Sequence, residues 1–464
     1  MALYSINPAT EQEIGRFDED APSEIEAKIA AAARAFLSWR RTTFGEREAL
    51  MHRAAEHIRA NRDRFSRTLV EEMGKPIVQA RREVDRFAGR CDYFAEHTAA
   101  MLSPEHVPIS GLDSWIRFEP LGVALGIMPW NFPFGQASRW AVPALMAGNT
   151  ALLKHASNVT LSALAIQETF DAAGFPPGVF TPLFVASNRI ASVISDARIA
   201  AVSLTGSAAA GEQVGAAAGQ ALKKVVLELG GSDPFIVLAD ADVPTAAEAA
   251  ARGRFGNNSG QACTSSKRFV VVAEVADEFI ECFVEETKKL RTGDPLDEAT
   301  DVGPLAKADS LLELTGQFEA TVSAGARVAY RAKLETRAGY FFPPTLLAGV
   351  MPDDVATQQE TFGPLAAIVT VRDDAGAVQV ANHSPYGLGC SIWTADSERG
   401  SVLAGDIEAG MVAINSLVVA DPRLPFGGVK RSGYGREMSV HGVRELTNIK
   451  AVNVGSADAP RFSR

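Results

Sequence analysis

The chain has 464 residues, 47% hydrophobic and 22% charged, with 45 Lys and Arg against 56 Asp and Glu for a net charge of −11. Such a length and composition describe a globular protein of more than one domain, and no apolar run approaches the ~18 residues of a membrane span. The acidic balance disfavours nucleic acid as a partner, since phosphate backbones call for a basic face, and it requires an anionic substrate to be met by locally placed arginines.

The opening "MALYSINPATEQEIG" has neither a basic n-region nor an apolar h-region, so no export signal is expected. Cys91, Cys263, Cys282 and Cys390 are widely separated with no CxxC pair, and the seven histidines form no HExxH-like spacing. A disulfide framework or a metal site is therefore not expected, and a reducing cytoplasm fits best.

In chain order, the first hundred residues read as helical: "SEIEAKIAAAARAFLSWR" and "EREALMHRAAEHIRANRDRFSRTLVEEMG" carry apolar residues at i, i+3, i+4 among charges. From Leu121 short apolar runs alternate with helical stretches. "GVALGIMPW", "TALLKH", "VFTPLFV", "AAVSLTGS" and "KVVLELGG" predict strands, with "QASRWAVPALMAG", "TLSALAIQETFDAAG" and "AAAGEQVGAAAGQAL" as the helices between them. That rhythm belongs to a parallel, doubly wound sheet. It restarts near Ser232 with "PFIVLADADVPTAAEAAARGRF" and "KRFVVVAEV", predicting a second α/β domain to about Ile414. "SWIRFEPLG" and "TNIKAVNVG" read as two lone edge strands, each too short to stand without a partner and suited to pairing across subunits.

Four segments carry candidate chemistry. In "GIMPWNFPFGQASRW", Asn131 lies between Pro129 and Pro133, whose fixed backbones make its amide a rigid donor for an oxyanion. An asparagine satisfying turn backbone is the plainer alternative. "LTGSAAAG" sets small residues at a strand-to-helix turn where backbone N–H groups approach a phosphate, although the spacing is not GxGxxG and a tight turn alone explains it. In "LELGGSDP", Glu228 ends an apolar strand, the edge of an open α/β sheet where ligands bind, and the following glycine pair permits close approach of another group. In "FGNNSGQACTSSKRF", Cys263 sits among small polar residues rather than the large apolar neighbours of a structural thiol. These residues combine into one chemistry. An aldehyde must first add a nucleophile before it can expel hydride, and a Cys263 thiolate can add; Asn131 with the Cys263 N–H would stabilise the oxyanion; Glu228 would activate water against the resulting thioester.

At this point the chain resembles the aldehyde dehydrogenases from end to end, through "PWNFP", "LELGGSDP", "NSGQAC", "QETFGP" and "PFGGVKRSGYGRE" in the family's order and approximate spacing. The resemblance implies Cys263 as nucleophile, Glu228 as general base and Asn131 as oxyanion donor. It implies that Glu360 and Phe362 hold the nicotinamide ribose and ring, and that Trp130, Lys154, Gly206, Ser207 and Leu229 contact the cofactor. It also implies an α/β fold of two doubly wound parallel-sheet domains plus a small β oligomerisation extension, making a homodimer or tetramer. The expected division is 1–97 with 121–231 for cofactor, 232–431 for catalysis, and 98–120 with 447–464 for bridging.

Where NAD-preferring relatives have a glutamate three residues after the lysine, this chain has Ser157. A carboxylate there would repel a 2′-phosphate, whereas Ser157 can donate to it and Lys154 can pair with it, so NADP is expected over NAD, with NAD still accepted. The usual proline after the lysine is His155. Within the family, "LKHASN" and the arginine of "QASRWAVPAL" most resemble the succinate-semialdehyde dehydrogenase branch, which implies that Arg139 grips a distal carboxylate and Ser439 assists. Two departures stand against this: Asn257 replaces a second arginine, for which Arg423 is the candidate substitute, and Ser265 replaces a redox-sensing cysteine. The alternatives are glutarate semialdehyde or a neutral aliphatic aldehyde as substrate, a cysteine hydrolase or acyltransferase without nicotinamide, and a non-catalytic protein of the same fold.

Overall fold

A computed structural model describes residues 2–109, 111–334 and 338–455. Helix Pro22–Trp39 follows the predicted amphipathic stripe, burying Ile25, Ile29, Ala32 and Trp39. The longer run divides at Asn61 into Phe44–Ala60 and Arg62–Met73. Asn61 leaves helical geometry (φ −108°, ψ 16°), and its side-chain amide donates to the His57 carbonyl at 2.9 Å, an Asn terminating one helix by serving its last turn. An antiparallel hairpin, Ala2–Ile6 with Glu13–Asp18, precedes these helices where only helix was expected. Its inward residue Ser5 donates to the buried Glu72 at 2.8 Å, so the hairpin is anchored by a polar contact that an apolar pattern does not reveal.

The first large sheet contains the five predicted strands, Val123–Met128, Thr150–His155, Phe180–Pro182, Ile199–Thr205 and Lys224–Glu228, all parallel. In space they run fifth, fourth, first, second, third. The order reverses between the first and fourth strands, and ligands of doubly wound sheets bind in the crevice at the carboxyl ends of such a pair. Trp130 and Asn131 follow one of these strands, and Gly206 and Ser207 follow the other. The sheet is not purely parallel, because Gly433–Tyr434 returns from far along the chain to pair antiparallel with Lys224–Glu228.

The second sheet runs in the order Arg327–Arg331, Thr345–Ala348, Leu365–Val371, Arg268–Val272, Pro234–Val237, Gly389–Trp393, Met411–Ile414, parallel except for its first, antiparallel edge strand. Cys263 and Glu360 precede Arg268–Val272 and Leu365–Val371, at the amino edge of this sheet, and Glu228 ends a strand of the other. The site thus lies where the carboxyl edge of one sheet meets the amino edge of the other.

The two strands read as solitary pair with each other. Thr447–Gly455 runs antiparallel to Leu112–Pro120 along its whole length, and Glu105–Ile109 completes a three-stranded sheet. Helix Ile77–Met101 extends past residue 98, where the bridging segment was expected to begin. Residues 456–464 of that expected segment lie outside the described residues.

Candidate active site

The loop before Cys263 is held in an uncommon conformation. Asn258 and Ser259 both have φ near +54° and +53°, a region that non-glycine residues rarely occupy unless their surroundings enforce it. Here Asn258 N–H donates to Gln79 at 2.7 Å, the Asn258 amide donates to the Asn131 carbonyl at 2.8 Å, and Ser259 Oγ donates to the Gly303 carbonyl at 3.0 Å. Below the thiol, the fully buried Lys267 donates to the Cys263 carbonyl at 2.6 Å and the Ala262 carbonyl at 3.1 Å. Cys263 is therefore presented on a backbone tied down from both sides.

The Cys263 side chain interacts with the buried Glu228 carboxylate. Burial, then the neighbouring Glu228 charge, hold the thiol well above its ordinary pKa, against the pull of Arg139 and Lys267. Glu228 is pushed up to about 7, first by burial and further by Glu437, with Arg139 opposing. A carboxylate near neutrality beside a protonated thiol is a base matched to its task. The glycines after Glu228 serve contact as expected: a side chain on Gly230 would collide with the Glu360 carboxylate, and Gly231 N–H donates to Glu360 at 3.0 Å.

Asn131 is 3% exposed. Its Nδ2 donates one proton to the Gln261 carbonyl at 3.1 Å, which leaves the second available for an oxyanion. Its carbonyl is held by Lys75 at 3.0 Å, and Lys75 is ion-paired with Glu83. His155 also braces this loop, with Nε2 3.0 Å from the Pro133 carbonyl and Nδ1 accepting from Ala156 N–H at 3.0 Å. Burial lowers its pKa to about 4, so the ring is a neutral strut.

Arg139 is buried rather than displayed on a helix surface. Nη2 donates to Glu228 Oε2 at 3.1 Å, Nε stands 2.7 Å from Glu437 Oε2, and the guanidinium covers the Phe426 ring at 4.1 Å. Ser439 is buried, and its N–H donates to the Pro422 carbonyl at 2.9 Å. Arg423 lies elsewhere in character: its side chain is 74% exposed and is paired with Asp421 through two hydrogen bonds. Asn257 is exposed, and Ser265 donates to the Gly253 carbonyl at 3.0 Å.

Around the crevice, Trp130 meets Phe362 edge to face at 5.6 Å. Ser157 opens a short helical turn just beyond Lys154, whose Nζ has Ser187 Oγ at 3.4 Å. Ser207 Oγ caps helix Ala208–Gln220 by accepting from Ala210 N–H at 3.3 Å, and Gly206 N–H donates to the Glu228 carbonyl at 3.0 Å. Leu229 packs against Gly211. Both polar atoms of the Asn158 side chain are buried without a partner, and a buried amide of that kind calls for a ligand's polar groups. Aromatic walls, a carboxylate at Glu360, an ammonium at Lys154 and an unsatisfied amide together fit a dinucleotide.

The whole of residues 2–452 matches the model of the Aldehyde dehydrogenase family. The chain belongs to this family. It is 43% identical over 459 residues to succinate-semialdehyde dehydrogenase [NADP(+)] 1 of Mycobacterium ulcerans, covering 98% of this chain and 100% of that one. It is 44% identical over 448 residues to the succinate semialdehyde dehydrogenase [NAD(P)+] Sad of Escherichia coli, covering 97% of each. A crystal structure of succinic semialdehyde dehydrogenase from Streptococcus pyogenes in complex with NADP+ superposes with a TM-score of 0.95 at 35% identity, covering 98% of this chain and 100% of that chain. The α/β fold read from the sequence is therefore that of the aldehyde dehydrogenases.

Lys267, Lys75 and Glu437 took no part in the sequence reading. A lysine entering the apolar strand in "SSKRFVVV" was the available signal for the first. The partnership of Glu437 with Arg139 joins residues almost three hundred positions apart in the chain and has no local signature.

Proposed function

We propose that this aldehyde dehydrogenase oxidises succinate semialdehyde to succinate with NADP, accepting NAD, through a thioester on Cys263. The observation that carries the catalytic part is the buried contact of Cys263 with a Glu228 whose pKa lies at about 7. As sulfur adds to the aldehyde carbon, Glu228 takes the thiol proton. The free Nδ2 proton of Asn131 and the Cys263 N–H stabilise the oxyanion. A bound nicotinamide supplies the acceptor for the hydride. Glu228, having passed its proton to solvent, then takes a proton from the water that attacks the thioester. Glu360 and Phe362 position the nicotinamide riboside, with Trp130, Lys154, Ser157, Gly206, Ser207 and Leu229 along the rest of the cofactor.

The names of the relatives at 43–44% identity support the semialdehyde substrate and the NADP preference, as does an arginine beside the thiol with Ser439 nearby in the fold. Ser157 leaves room and a hydroxyl for a 2′-phosphate. Arg423 is the further candidate for a distal carboxylate. A second reading, a neutral aldehyde, is favoured by one observation: Arg139 already faces both Glu228 and Glu437. Reduction of NADP and NAD with succinate semialdehyde, glutarate semialdehyde and butanal separates the two readings. A much higher kcat/KM for succinate semialdehyde supports the first, and equal values for charged and neutral aldehydes refute it.

The same reading assigns residues 1–97 with 121–231 to cofactor binding, 232–431 to catalysis, and 98–120 with 447–464 to assembly. The three-stranded sheet supports the last assignment, since Ile109, Ile449 and Val454 stand 47%, 60% and 55% exposed on it. A homo-oligomer that covers these residues follows. Among the described residues no helix is long and apolar enough to cross a membrane, and a cytoplasmic location is part of the proposal.

A further inference from the structure

Lys267 leads from the catalytic loop into the apolar strand Arg268–Val272, and no part of its side chain reaches solvent. Its Nζ donates to the Cys263 carbonyl at 2.6 Å and to the Ala262 carbonyl at 3.1 Å, and it lies 3.6 Å from Glu360 Oε1. An ammonium has three donors and no acceptor, and these three neighbours are all acceptors. A neutral amine would turn its lone pair on one of them, so the geometry fits the charged form. Burial disfavours that form, and the charges of Glu360 and Asp233 oppose the effect of burial.

Holding the loop in place does not require that charge. The buried Arg254 already ties the same loop to the Glu360 segment through neutral acceptors, donating to Ser265 Oγ at 3.3 Å, the Thr361 carbonyl at 2.8 Å and the Leu365 carbonyl at 2.8 Å. What Lys267 adds is a positive charge on one particular peptide. The Ala262 carbonyl and the Cys263 N–H belong to the same peptide unit, which is trans, so its oxygen and its hydrogen point in opposite directions. The oxygen accepts from Lys267 and also from Ser265 N–H at 3.2 Å. The Cys263 N–H has no acceptor among the described residues. Donors on a carbonyl oxygen draw electron density from the nitrogen of that peptide, which makes its N–H a stronger donor.

We infer that Lys267 is a positioning residue of the oxyanion hole, whose ammonium polarises the Ala262–Cys263 peptide and so strengthens the Cys263 N–H toward the oxyanion. The inference rests on the reading of Cys263 as the nucleophile and deepens it. When sulfur adds to the substrate carbon, the carbonyl electron pair moves onto oxygen, which meets two donors, Asn131 Nδ2 and the Cys263 N–H. The second donor has a buried cation behind its peptide. That charge is in place before the substrate arrives, so the hole needs no reorganisation as the oxyanion forms.

Two reagents that modify a thiolate in the full-length protein, with no nicotinamide present, test this. 4-Nitrophenyl acetate is attacked at its carbonyl carbon, so an oxyanion forms before nitrophenolate leaves and the acetyl group stays on sulfur. Iodomethane transfers its methyl group to sulfur as iodide leaves, and it has no oxygen. Both reactions need the thiolate, so a change in the ionisation or access of Cys263 enters both rates alike. Acetylation is followed by the burst of nitrophenolate, and methylation by mass spectrometry of the Cys263 peptide. Lys267→Met is expected to slow acetylation about tenfold more than methylation, short of the factor of about 10² to 10³ for an oxyanion donor removed outright. Lys267→Gln, which keeps a neutral donor, should show a smaller gap of the same sign, and it carries the comparison if the Met variant does not fold. Equal slowing of the two reactions overturns the inference and leaves Lys267 as a tie for the loop, and unchanged acetylation overturns it as well. A wild-type protein whose Cys263 accepts no acetyl group would remove the reading of Cys263 as the nucleophile, and the inference with it.

Discussion

Arg139 Nη2 donates to Glu228 Oε2 at 3.1 Å, so the arginine proposed to grip the substrate also tunes the proposed base. Its positive charge opposes the burial and the Glu437 repulsion that raise Glu228. Arg139→Met should therefore act on every aldehyde by moving the Glu228 titration above about 7, so that the acid limb of the kcat/KM profile shifts to higher pH. If Arg139 also binds carboxylate, KM for succinate semialdehyde should rise by about 10 to 100-fold while KM for butanal hardly moves. Profiles measured with both substrates separate the two effects.

The base must be ionised to work. As Glu228 titrates at about 7, kcat/KM of the wild-type enzyme should fall about tenfold per unit below that pH and level off above it. Glu228→Gln should abolish this limb and lower kcat by about 10² to 10⁴. A burst of reduced nicotinamide should persist in rapid-mixing experiments but form more slowly than in the wild type, because the variant loses the acceptor of the thiol proton as well as the base of the water step, and the water step is slowed more. Cys263→Ala should abolish both phases and retain dinucleotide binding.

The five parallel strands of the first sheet, and Pro234–Val237 and Arg268–Val272 of the second, were legible because each is a short apolar run next to a glycine, a proline or a helix stripe. Cys263, Glu228 and Asn131 stood out as candidates because their residue types and small neighbours suit one reaction, and the structure brings Cys263 against Glu228 and Asn131 against the loop that carries Cys263. The hairpin Ala2–Ile6 with Glu13–Asp18 was not, since its anchor is the Ser5 to Glu72 hydrogen bond. Nor was the pairing of Thr447–Gly455 with Leu112–Pro120, because two exposed edge strands give no signal of which edge they match. For Arg423, sequence places the residue in the "DPRLPFGG" loop but does not show that Asp421 engages it at 2.7 Å.

Cofactor preference should turn on Ser157. The residue is exposed at the start of its turn, so a longer side chain fits without repacking. Ser157→Glu should raise the Kd of NADP by about 10 to 100-fold through repulsion of the 2′-phosphate and loss of its hydrogen bond. Its effect on NAD should be small or favourable, because a carboxylate accepts from the ribose hydroxyls. Equal effects on both nucleotides would place the 2′-phosphate away from Ser157.

His155 should leave a signature in acid stability. Its folded pKa of about 4 lies below the 6.5 of a free imidazole, so the neutral ring contributes stability above pH 6.5 that is lost as pH falls toward 4, by about 3 kcal/mol in all. Glu72, Glu228 and Asp233, each raised to about 7 by burial, act in the opposite direction. Comparing the wild type with His155→Gln isolates the histidine: the advantage of the wild type in denaturant midpoint should shrink between pH 6.5 and 4. A constant difference across that range would show that the ring charges without cost.

The loop that carries Asn131 depends on a buried ion pair. Lys75 and Glu83 have side chains only 1% and 3% exposed; Lys75 donates to the Asn131 carbonyl at 3.0 Å, and Glu83 accepts from Gly135 N–H at 2.9 Å. Removing one partner strands a charge in the core, so Lys75→Met should destabilise the fold by about 3 to 5 kcal/mol. Adding Glu83→Gln removes the stranded charge yet keeps an acceptor for Gly135, and most of that stability should return. Turnover should not return with it, because the Asn131 carbonyl still lacks its ammonium donor and the oxyanion amide loses its fixed position. A double variant that recovers both stability and kcat would limit the pair to a structural role, whereas one that recovers stability alone would show that Lys75 positions Asn131 for catalysis.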